Sequence, residues 1–463
     1  MQKIDIKELK NDYQKFAGKT IVLAGWVKSV RDMKNFGFID LNDGTSFKGT
    51  QVVISAEKLN NYDKLSHLNT GSTVIVTGVV KLTPEMKQPF EVQAETVEVF
   101  NETDATYPLQ KKGHSLEYLR EMAYLRPRTN LFSAVFRVRS VAAMGIHKYF
   151  QEHGYVYTHT PLITTTDCEG SDQMFKITTL NFEHPPITKD GALDTSKDLF
   201  GKKSYITGSG QLHGEAFALA FNKIYTFGPT FRTENSNTKT HANEFWMIEP
   251  EMAFCDLDGL MDIEEEMLKY VIKYVLDTCP EEMEFLNSFV EKGLIEKLTK
   301  VVNSNFVRID HADVIKLLKQ APVKWEFEPE EGGDIAKEHE KYLTEHFGGP
   351  VFVKNWPKDI KAYYMKLNPD GKTVAAVDLE VPGASELMGG SQREENYEKI
   401  IARCKEMGVD TMPIDWYLNL RKFGSCVHSG FGMGFERLVM YLTGVENIRD
   451  AIPFPRTPGN CEY

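Results

Sequence analysis

Alternating hydrophobic and polar residues over the first hundred positions predict five short β-strands. The predicted strands are residues 21–27, 36–41, 51–54, 71–80 and 90–99. Turn residues such as Asn42-Asp43-Gly44 separate them, and a helix is expected over Ala56–Leu65. Strands of this length with glycine bends predict a small closed β-barrel within residues 1–105.

The pattern changes after a polar, proline-bearing segment over residues 106–128, which we interpret as a hinge or linker. A long helix is predicted over residues 129–153. Apolar residues recur at helical spacing on one of its faces, at Val135, Val138, Ala142, Ile146 and Tyr149. Strands and helices then alternate, so residues 129–463 are predicted to form an α+β domain with a helical insertion at about 256–345.

The composition is that of an ordinary globular protein. Of 463 residues, 41% are hydrophobic and 26% are charged, which excludes collagen-like, disordered and disulfide-scaffold classes. No apolar run approaches the roughly 18 residues that a membrane helix needs, and charges occupy the positions where a signal peptide has its apolar core. The 6 cysteines form no CxxC pair and are expected to be reduced. We therefore expect a cytoplasmic protein without a membrane partner.

The net charge of −12 does not exclude nucleic-acid binding, because a polyanion responds to the local field. Residues 1–50 contain 9 Lys+Arg against 6 Asp+Glu, a local charge of +3. The acidic excess lies downstream, in segments that we interpret as solvated helix faces.

A glycine-rich segment, residues 430–434, runs directly into Phe435-Glu436-Arg437. Glycines before a helix allow the backbone to approach a ligand, and an arginine in the first turn can pair with a phosphate. The alternative is that the glycines serve close packing and that Arg437 forms a structural salt bridge. The common GxxxxGK[ST] nucleotide motif is absent from the sequence.

A second candidate site is a predicted antiparallel hairpin over residues 225–254, with a polar loop at 235–243. Arg232 and Glu234 are expected to share one face of its first strand, and Glu249 and Glu251 one face of its second strand. Burying four charges on an otherwise apolar hairpin is unfavourable without a ligand. A binding site is therefore preferred over a structural ion-pair cluster.

Three segments in this order resemble the signature motifs of the class II aminoacyl-tRNA synthetases, in the subgroup for aspartate, asparagine and lysine. They are the helix and strand ending at Pro161, the hairpin containing Arg232, and the segment ending at Arg437. The resemblance covers essentially the whole chain. It implies an N-terminal OB-fold that binds the tRNA anticodon and a class II catalytic domain, an antiparallel sheet flanked by helices. It also implies ATP and Mg²⁺ as cofactors, and a homodimer whose interface includes Pro161.

Motif matching also implies roles for individual residues. Arg232 would bind the α-phosphate and the amino-acid carboxylate, Arg437 the γ-phosphate, and Phe245 would stack on adenine. The implied catalytic residues are Arg232, Glu234 and Arg437. The implied ATP-binding set is Arg232, Glu234, His241, Phe245, Glu386, Gly434 and Arg437.

Asp378 and Glu386 match the magnesium positions of the family. In aspartate enzymes a serine lies three residues after the metal glutamate, whereas this chain has Gly389. A metal ligand is therefore either missing or supplied by water.

The choice of amino acid depends on two positions. Aspartate enzymes resemble this chain but carry lysine where Gly214 stands and aspartate where Glu249 stands. Glu249 can accept hydrogen bonds from an amide and would repel a carboxylate, while Arg393 can donate to the amide oxygen. L-asparagine and tRNA(Asn) are therefore the preferred partners. By the same resemblance, Glu169 and Gln211 would hold the α-amino group, so the implied asparagine set is Glu169, Gln211, Arg232, Glu249 and Arg393.

On the barrel, Phe38 matches the position where the family stacks an aromatic ring on the middle anticodon base. Arg31 and Gln51 match polar contacts around that base. The alternative is that Phe38 is a core residue; Phe36 lies on the same face by alternation, so one ring can pack while the other stacks.

Three other functions remain open from the sequence. An aspartyl ligase is disfavoured by Gly214 and Glu249. An asparagine synthetase derived from this scaffold characteristically lacks the anticodon barrel. A non-catalytic paralogue is expected to have lost charged residues such as Arg232 or Arg437, and both are present.

Overall fold

The computed structural model describes residues 3–86, 88–110, 113–168 and 174–463. It divides into two compact units, Met1–Ala134 and Val135–Tyr463. The linker predicted over 106–128 stays a prediction, because this single division does not delimit it. Within the described ranges, no helix is both long and apolar enough to cross a membrane.

The first unit contains the closed five-stranded barrel that the sequence predicts, with strand order β1-β2-β3-β5-β4. Alternate side chains of these strands fill its interior, among them Leu23, Ile39 and Val76. The strands are β1 Thr20–Asp32, β2 Phe36–Asn42, β3 Thr50–Ser55, β4 Thr73–Leu82 and β5 Phe90–Asn101. The helices of this unit are α1 Ile6–Asn11, α2 Tyr13–Phe16, α3 Tyr62–Ser66 and α4 Leu116–Glu121.

The helix expected over Ala56–Leu65 is wrong in extent. Only α3 is helical there, and most of residues 56–61 form turns. The amide of Asn61 donates a 3.0 Å hydrogen bond to the Val97 carbonyl instead of facing solvent on a helix. Asparagine side chains that bond to backbone favour turns over helix interiors.

The second unit is built on an eight-stranded mixed sheet, in the order β12-β13-β14-β15-β16-β11-β10-β6. Its pairs are antiparallel except β10 with β6 and β12 with β13. The same unit also contains a separate three-stranded sheet, in the order β7-β9-β8. The strands are β6 Val156–Tyr157, β7 Ile163–Thr164, β8 Lys176–Ile177, β9 Ser204–Ile206, β10 Lys223–Phe231, β11 Glu244–Ala253, β12 Val307–Asp310, β13 Val351–Pro357, β14 Thr373–Val381, β15 Ser385–Gln392 and β16 His428–Gly434.

Helices flank this sheet, and the long predicted helix is confirmed as α5. Its five predicted apolar residues are all buried, and the Thr129 hydroxyl accepts a hydrogen bond from the Phe132 N–H at its start. The helices are α5 Asn130–Glu152, α6 Gln211–Phe221, α7 Leu257–Thr278, α8 Pro280–Phe289, α9 Leu294–Asn303, α10 His311–Gln320, α11 Lys337–Phe347, α12 Tyr397–Met407, α13 Asp415–Asn419, α14 Phe435–Thr443 and α15 Ile448–Ala451.

The segment at 256–345 contains α7 to α10 and most of α11, so it is mainly helical. It also supplies β12, which pairs with β13 at the edge of the main sheet. This segment is therefore continuous with the sheet through one of its strands.

Candidate active site

The candidate site is a cleft of about 650 Å³ over the central strands of the main sheet. All predicted ATP, amino-acid and metal residues that the structure describes line this one cavity, although they are spread over more than two hundred positions of the chain. Glu169 lies outside the described residues. The predicted residues in the lining are Gln211, Arg232, Glu234, His241, Phe245, Glu249, Asp378, Glu386, Arg393, Gly434 and Arg437.

Alternate glycines of β16 form part of the floor of the cleft. A Cβ atom at Gly430 would lie 2.2 Å from the Glu251 carboxyl carbon, and one at Gly432 would lie 2.8 Å from the Met247 Cε atom. A side chain at position 430 is therefore excluded by the buried Glu251 carboxylate, whereas one at position 432 would require only the flexible end of Met247 to move. The alternative that these glycines serve close packing is therefore correct for Gly430. At Gly432 and Gly434 the backbone itself lines the cleft.

Two arginines lie at the predicted nucleotide end of the cleft. β10 ends at Phe231, so Arg232 and Glu234 lie just beyond the strand and not on a shared strand face, contrary to the expectation. The Arg232 guanidinium is 5.4 Å from the centre of the Phe245 ring. Arg437, in the first turn of α14, donates to the Glu386 carbonyl at 3.3 Å.

The loop between β10 and β11 brings His241 towards these arginines. Nδ1 of His241 lies 2.6 Å from the Thr238 hydroxyl, and Nε2 lies 3.9 Å from a Glu234 carboxylate oxygen. Burial lowers the pKa of His241. The negative charge of Glu234 acts to raise this pKa, and nearby cations such as Arg437 act to lower it. The imidazole is therefore neutral at pH 7 and can serve as hydrogen-bond donor and acceptor.

Hydrogen bonds fix both ends of this loop. The Asn243 side-chain amide donates to the carbonyls of Arg232, at 2.8 Å, and Glu234, at 3.0 Å. The Asn243 backbone N–H donates to the Arg456 carbonyl at 2.8 Å, and the Ile448 N–H to the Lys239 carbonyl at 2.8 Å. The loop is thus tied to the segment that follows α14.

Two carboxylates face each other across Gly389. A Cβ atom on this glycine would lie 3.2 Å from Oδ1 of Asp378 and 3.1 Å from Oε1 of Glu386. The Lys361 ammonium contacts Asp378 Oδ2 at 2.5 Å. Burial raises the pKa of Asp378 to about 6, although Lys361 opposes the rise.

This pair suits a magnesium ion that also binds phosphates. Magnesium usually takes one or two carboxylates and fills its remaining positions with water and phosphate oxygens. In the part of the chain that the structure describes, no group of three or more His, Cys, Asp or Glu side chains is arranged for a metal. The donor set is therefore sufficient only together with a nucleotide.

Glu249 and Glu251 share one face of β11, as predicted, and both are buried. Glu249 is held on several sides. It accepts hydrogen bonds from the Ser209 hydroxyl at 2.5 Å, the Gly210 N–H at 2.9 Å and the Thr226 hydroxyl at 2.9 Å. Three neutral donors fix its carboxylate, and among the residues that the structure describes no cation forms an ion pair with it.

Arg393 is oriented by an ion pair below the cleft. Its Nε donates to Glu251 Oε2 at 3.1 Å and its Nη2 donates to Oε1 of the same carboxylate. Its Nη1 donates to the Ser391 hydroxyl at 2.8 Å. Burial raises the pKa of Glu251 to about 7, and Arg393 acts in the opposite direction. Because Nε, Nη1 and Nη2 of Arg393 each already donate one hydrogen bond, only the second N–H of Nη1 and of Nη2 can donate to a ligand.

Sequence reasoning missed a buried network under this pair, centred on Glu215 of α6. Glu215 accepts from Arg421 at 2.8 Å and from the Tyr417 hydroxyl at 2.9 Å, and His428 Nε2 lies 3.0 Å away. Although burial disfavours its charge, these neighbours hold the pKa of Glu215 below its ordinary value. The Gln211 amide donates to the same carboxylate at 3.1 Å, so the network orients a predicted substrate residue. The only sequence signal was a glutamate in an apolar helix.

The predicted anticodon residues lie together on the outer face of the barrel. The Cα atoms of Arg31 and Phe38 are paired across β1 and β2, and the guanidinium lies 4.6 Å from the ring centre. Gln51, on β3, is paired with Asp40. Phe38 is absent from the barrel core, and its ring meets Phe36 edge-to-face at 5.6 Å. The core alternative for Phe38 is therefore wrong.

Pro161 follows β6, the short strand at one edge of the main sheet, and is exposed. Apolar side chains near it are exposed as well, at 51% for Tyr157 and 49% for Ile163. Met144 of α5 is also exposed. The predicted interface segment is thus an apolar surface of this unit.

Two family models match the chain. Residues 115–458 match the tRNA synthetases class II (D, K and N), and residues 21–100 match an OB-fold nucleic acid binding domain. The chain belongs to the class II tRNA synthetases. The predicted fold class is confirmed in both parts: an OB-fold barrel and a class II catalytic domain with a large sheet flanked by helices.

Individual relatives narrow the comparison within the class II synthetases. The chain is 55% identical over 459 residues to an asparagine–tRNA ligase of Clostridium perfringens strain SM101, covering 99% of each chain. It is 55% identical over 464 residues to that of Clostridium tetani, covering 100% of each. A crystal structure of asparaginyl-tRNA synthetase from Pyrococcus horikoshii complexed with asparaginyl-adenylate superposes with a TM-score of 0.85 at 32% identity, covering 100% of this chain and 99% of that one.

Proposed function

We propose that this class II synthetase activates L-asparagine with ATP and transfers the asparaginyl group to the 3′ end of tRNA(Asn). The carrying observation is that one cleft is lined by two arginines, Arg232 and Arg437, and by the buried residues Glu249 and Arg393. Full-length relatives named asparagine–tRNA ligase support the same activity.

Activation requires positioning and charge neutralisation, and the cleft supplies both. The substrate carboxylate attacks the α-phosphorus of ATP, a P–O bond forms, and the bond to the bridging oxygen breaks as pyrophosphate leaves. Arg232 would bind the α-phosphate and the carboxylate together, and Arg437 the γ-phosphate. Phe245 would stack on adenine, with Glu234 and His241 contacting the base or the phosphates.

Recognition of the side chain would use opposite polarities on the floor of the cleft. Glu249 would accept from the asparagine amide NH₂, and Arg393 would donate to its oxygen. Gln211, held by Glu215, would contact the α-amino group together with Glu169. A ligand that mispairs with such buried groups is disfavoured by factors of roughly 10⁴ or more.

Asp378 and Glu386 would hold Mg²⁺, whose contribution is to neutralise phosphate charge during pyrophosphate departure. Gly389 supplies no side-chain ligand between them, so water or phosphate oxygens would have to provide the remaining ligands of the ion. Lys361 orients Asp378 from the other side.

After activation, the terminal ribose hydroxyl of the tRNA attacks the carbonyl carbon and AMP leaves. On the barrel, Phe38 would stack on an anticodon base while Arg31 and Gln51 supply hydrogen bonds. A homodimer through the surface around Pro161 is part of the proposal, because the exposed apolar side chains there would be covered by a second copy.

The direct test is ATP–pyrophosphate exchange without tRNA, with asparagine and aspartate as separate substrates. Exchange with asparagine alone is expected. Exchange with aspartate would overturn the asparagine assignment and favour the aspartyl ligase or the synthetase. Absence of exchange with both substrates, in folded protein that binds ATP, would favour a non-catalytic paralogue.

A further inference from the structure

We propose that two cavities beyond Arg437 form a path by which the pyrophosphate product leaves the cleft, with Lys337 and Lys300 as its anion-binding groups. Both lysines belong to the helical insertion, on α11 and α9, so the path also gives that segment a role. The inference rests on the proposed function, because pyrophosphate is a product only if ATP is used for activation.

The two cavities are continuous with the cleft. A middle cavity of about 610 Å³ shares four lining residues with the cleft, among them His241 and Arg437. An outer cavity of about 870 Å³ shares five lining residues with the middle one, among them Lys297, Lys337 and Gly383. Of the described residues, none lines both the cleft and the outer cavity. The cleft, the middle cavity and the outer cavity therefore follow one another in a row.

The path begins at the predicted γ-phosphate end of the cleft. Arg437, which is proposed to bind that phosphate, lines both the cleft and the middle cavity. Lys337 lines the middle cavity as well, and its ammonium group lies 3.4 Å from the Thr240 hydroxyl of the β10–β11 loop. Both cations are close enough to His241 to lower its pKa. A phosphate group that leaves Arg437 thus has a second cation in the same cavity.

The formal charge of the lining becomes more positive along the path. The cleft is lined by 4 cations and 7 carboxylates, a sum of −3, and the middle cavity by 4 of each, a sum of 0. The outer cavity is lined by 4 lysines and 2 glutamates, a sum of +2. One of these lysines, Lys297, pairs at 2.8 Å with Glu291 of the middle cavity, and adding this glutamate still leaves +1. Such a field draws a polyanion away from the cleft.

Lys300 and Lys337 are the lysines of this path that are available to an anion. In the part of the chain that the structure describes, neither forms an ion pair, whereas both oxygens of Glu291 hold Lys297 and Lys341 lies 3.8 Å from Glu345. Lysine is a compact charge on a flexible stem, so it binds an anion without the fixed fork of an arginine. Passage along a path requires binding that is strong enough for entry and weak enough for release.

The experiment measures kcat/KM for pyrophosphate in ATP–pyrophosphate exchange at saturating ATP and asparagine, because the reverse reaction takes pyrophosphate in by the same path. Lys337→Met and Lys300→Met are each expected to lower this value about fivefold, since each removes a steering charge. The dependence on NaCl concentration should become weaker in both variants, because less of the attraction remains to be screened. The kcat/KM for ATP should stay at the parental value.

Two control variants separate the position of the charge from its loss. Lys337→Arg keeps the charge and should retain most of the parental kcat/KM for pyrophosphate. Lys316→Met removes an exposed lysine charge from α10, which lines neither cavity, and should behave as the parent does. Values for Lys337→Met and Lys300→Met that equal the value for Lys316→Met would overturn the inference.

Two further results would also overturn it. An equal fall in kcat/KM for ATP would assign the lysines to nucleotide binding, and a change confined to the KM for tRNA would assign them to RNA. Calorimetric titration with inorganic pyrophosphate tests the path without turnover, and weaker binding in Lys337→Met and Lys300→Met than in Lys316→Met is expected. A parent that shows no exchange with asparagine would refute the proposed function, and this titration then decides on the anion path separately.

Discussion

Gly389 lies between the carboxylates of Asp378 and Glu386, and its lack of a side chain leaves a gap between them. The space above it is bounded by one oxygen of each carboxylate, at 3.1–3.2 Å from the position of a Cβ atom. A hydroxyl placed there would become a third oxygen in a candidate magnesium site that now offers two. Magnesium prefers oxygen ligands of this kind, but phosphate oxygens and water molecules can also fill its coordination positions.

Gly389→Ser is therefore expected to lower the Mg²⁺ concentration that gives half-maximal exchange severalfold, since the added oxygen can bind the ion. Gly389→Ala is the matched control, because it adds the same Cβ atom without a ligand. Magnesium titration of the exchange rate and calorimetry of Mg²⁺–ATP binding both measure the effect. Equal behaviour of the two variants would argue against a metal between these carboxylates.

A second residue, Glu264 of α7, is buried at the opposite face of the same sheet. Neither of its carboxyl oxygens has a hydrogen-bond partner within the described residues. A Cβ atom at Gly390 would lie 2.9 Å from its Oε1, so this glycine makes room for the carboxyl group. Burial raises its pKa well above the ordinary value of 4.5, reinforced by Asp378 and opposed by Arg308. Burial therefore favours the neutral acid over the carboxylate in the native state.

Because the folded protein retains this proton while the unfolded chain loses it above pH 4.5, stability falls as the pH rises towards the folded pKa. Glu264→Gln should remove this dependence. The variant is expected to be the more stable protein at pH 8, with a difference that grows by up to about 1.4 kcal/mol per pH unit inside the window. Chemical denaturation at pH 6, 7 and 8 measures it; parallel pH profiles for parent and variant would contradict the assignment.

At the scale of elements, the hairpin β10–β11 and its loop supply many of the residues that line the cleft. Backbone hydrogen bonds from the segment after α14 help to hold this loop in place. The Asn243 side chain joins the loop to the carbonyls on either side of Thr233, and the segment after α14 accepts or donates two further backbone bonds. The orientation of Arg232 at the end of β10 thus depends on an amide that touches no ligand.

Asn243→Ala should weaken ATP use more than it weakens folding. Two hydrogen bonds of about 0.5–1.5 kcal/mol each are lost, a total of about 1–3 kcal/mol, which corresponds to a roughly 5–150-fold fall in kcat/KM for ATP. Steady-state exchange kinetics at varied ATP measure this, and thermal unfolding serves as the control. A large fall in melting temperature with unchanged KM for ATP would assign Asn243 a purely structural role.

Helices and strands with a clear hydrophobic periodicity could be predicted from the sequence. Contacts between residues far apart in the sequence could not. The barrel strands and α5 follow from alternation and helical spacing, whereas the turn-forming Asn61 shortened α3 and the four-residue β12 was too short to separate from helices. The residues that match motifs converge in one cleft. Glu215, Arg421 and His428 have no such motif, because their common site exists only after α6, the segment following α13, and β16 pack together.

At the scale of the whole molecule, the residues proposed to bind RNA and those proposed to catalyse adenylation lie in different units. Phe38, Arg31 and Gln51 belong to the first unit, and the cleft belongs to the second. The aromatic ring lies outside the barrel core, so its removal leaves that core intact. The two activities should therefore be separable by a substitution in the barrel.

Phe38→Ala is expected to reduce kcat/KM for tRNA by about 5–150-fold, the equivalent of the ~1–3 kcal/mol that stacking of one base contributes. ATP–pyrophosphate exchange and the melting temperature should be unchanged. Aminoacylation at limiting tRNA, run beside the exchange assay, measures the difference. A loss of exchange in parallel with charging would show that the residue acts on the catalytic unit as well.

The strand order of the main sheet also has a consequence for the growing polypeptide on the ribosome. β11 pairs with β16, yet 174 residues lie between Ala253 and His428, so one edge of the hairpin stays open for roughly 9–35 s at synthesis rates of about 5–20 residues per second. Open strand edges invite pairing between neighbouring chains, and inward charges discourage it. We therefore expect the inward charges of Glu249 and Glu251 to disfavour edge-to-edge pairing between nascent chains on one polysome.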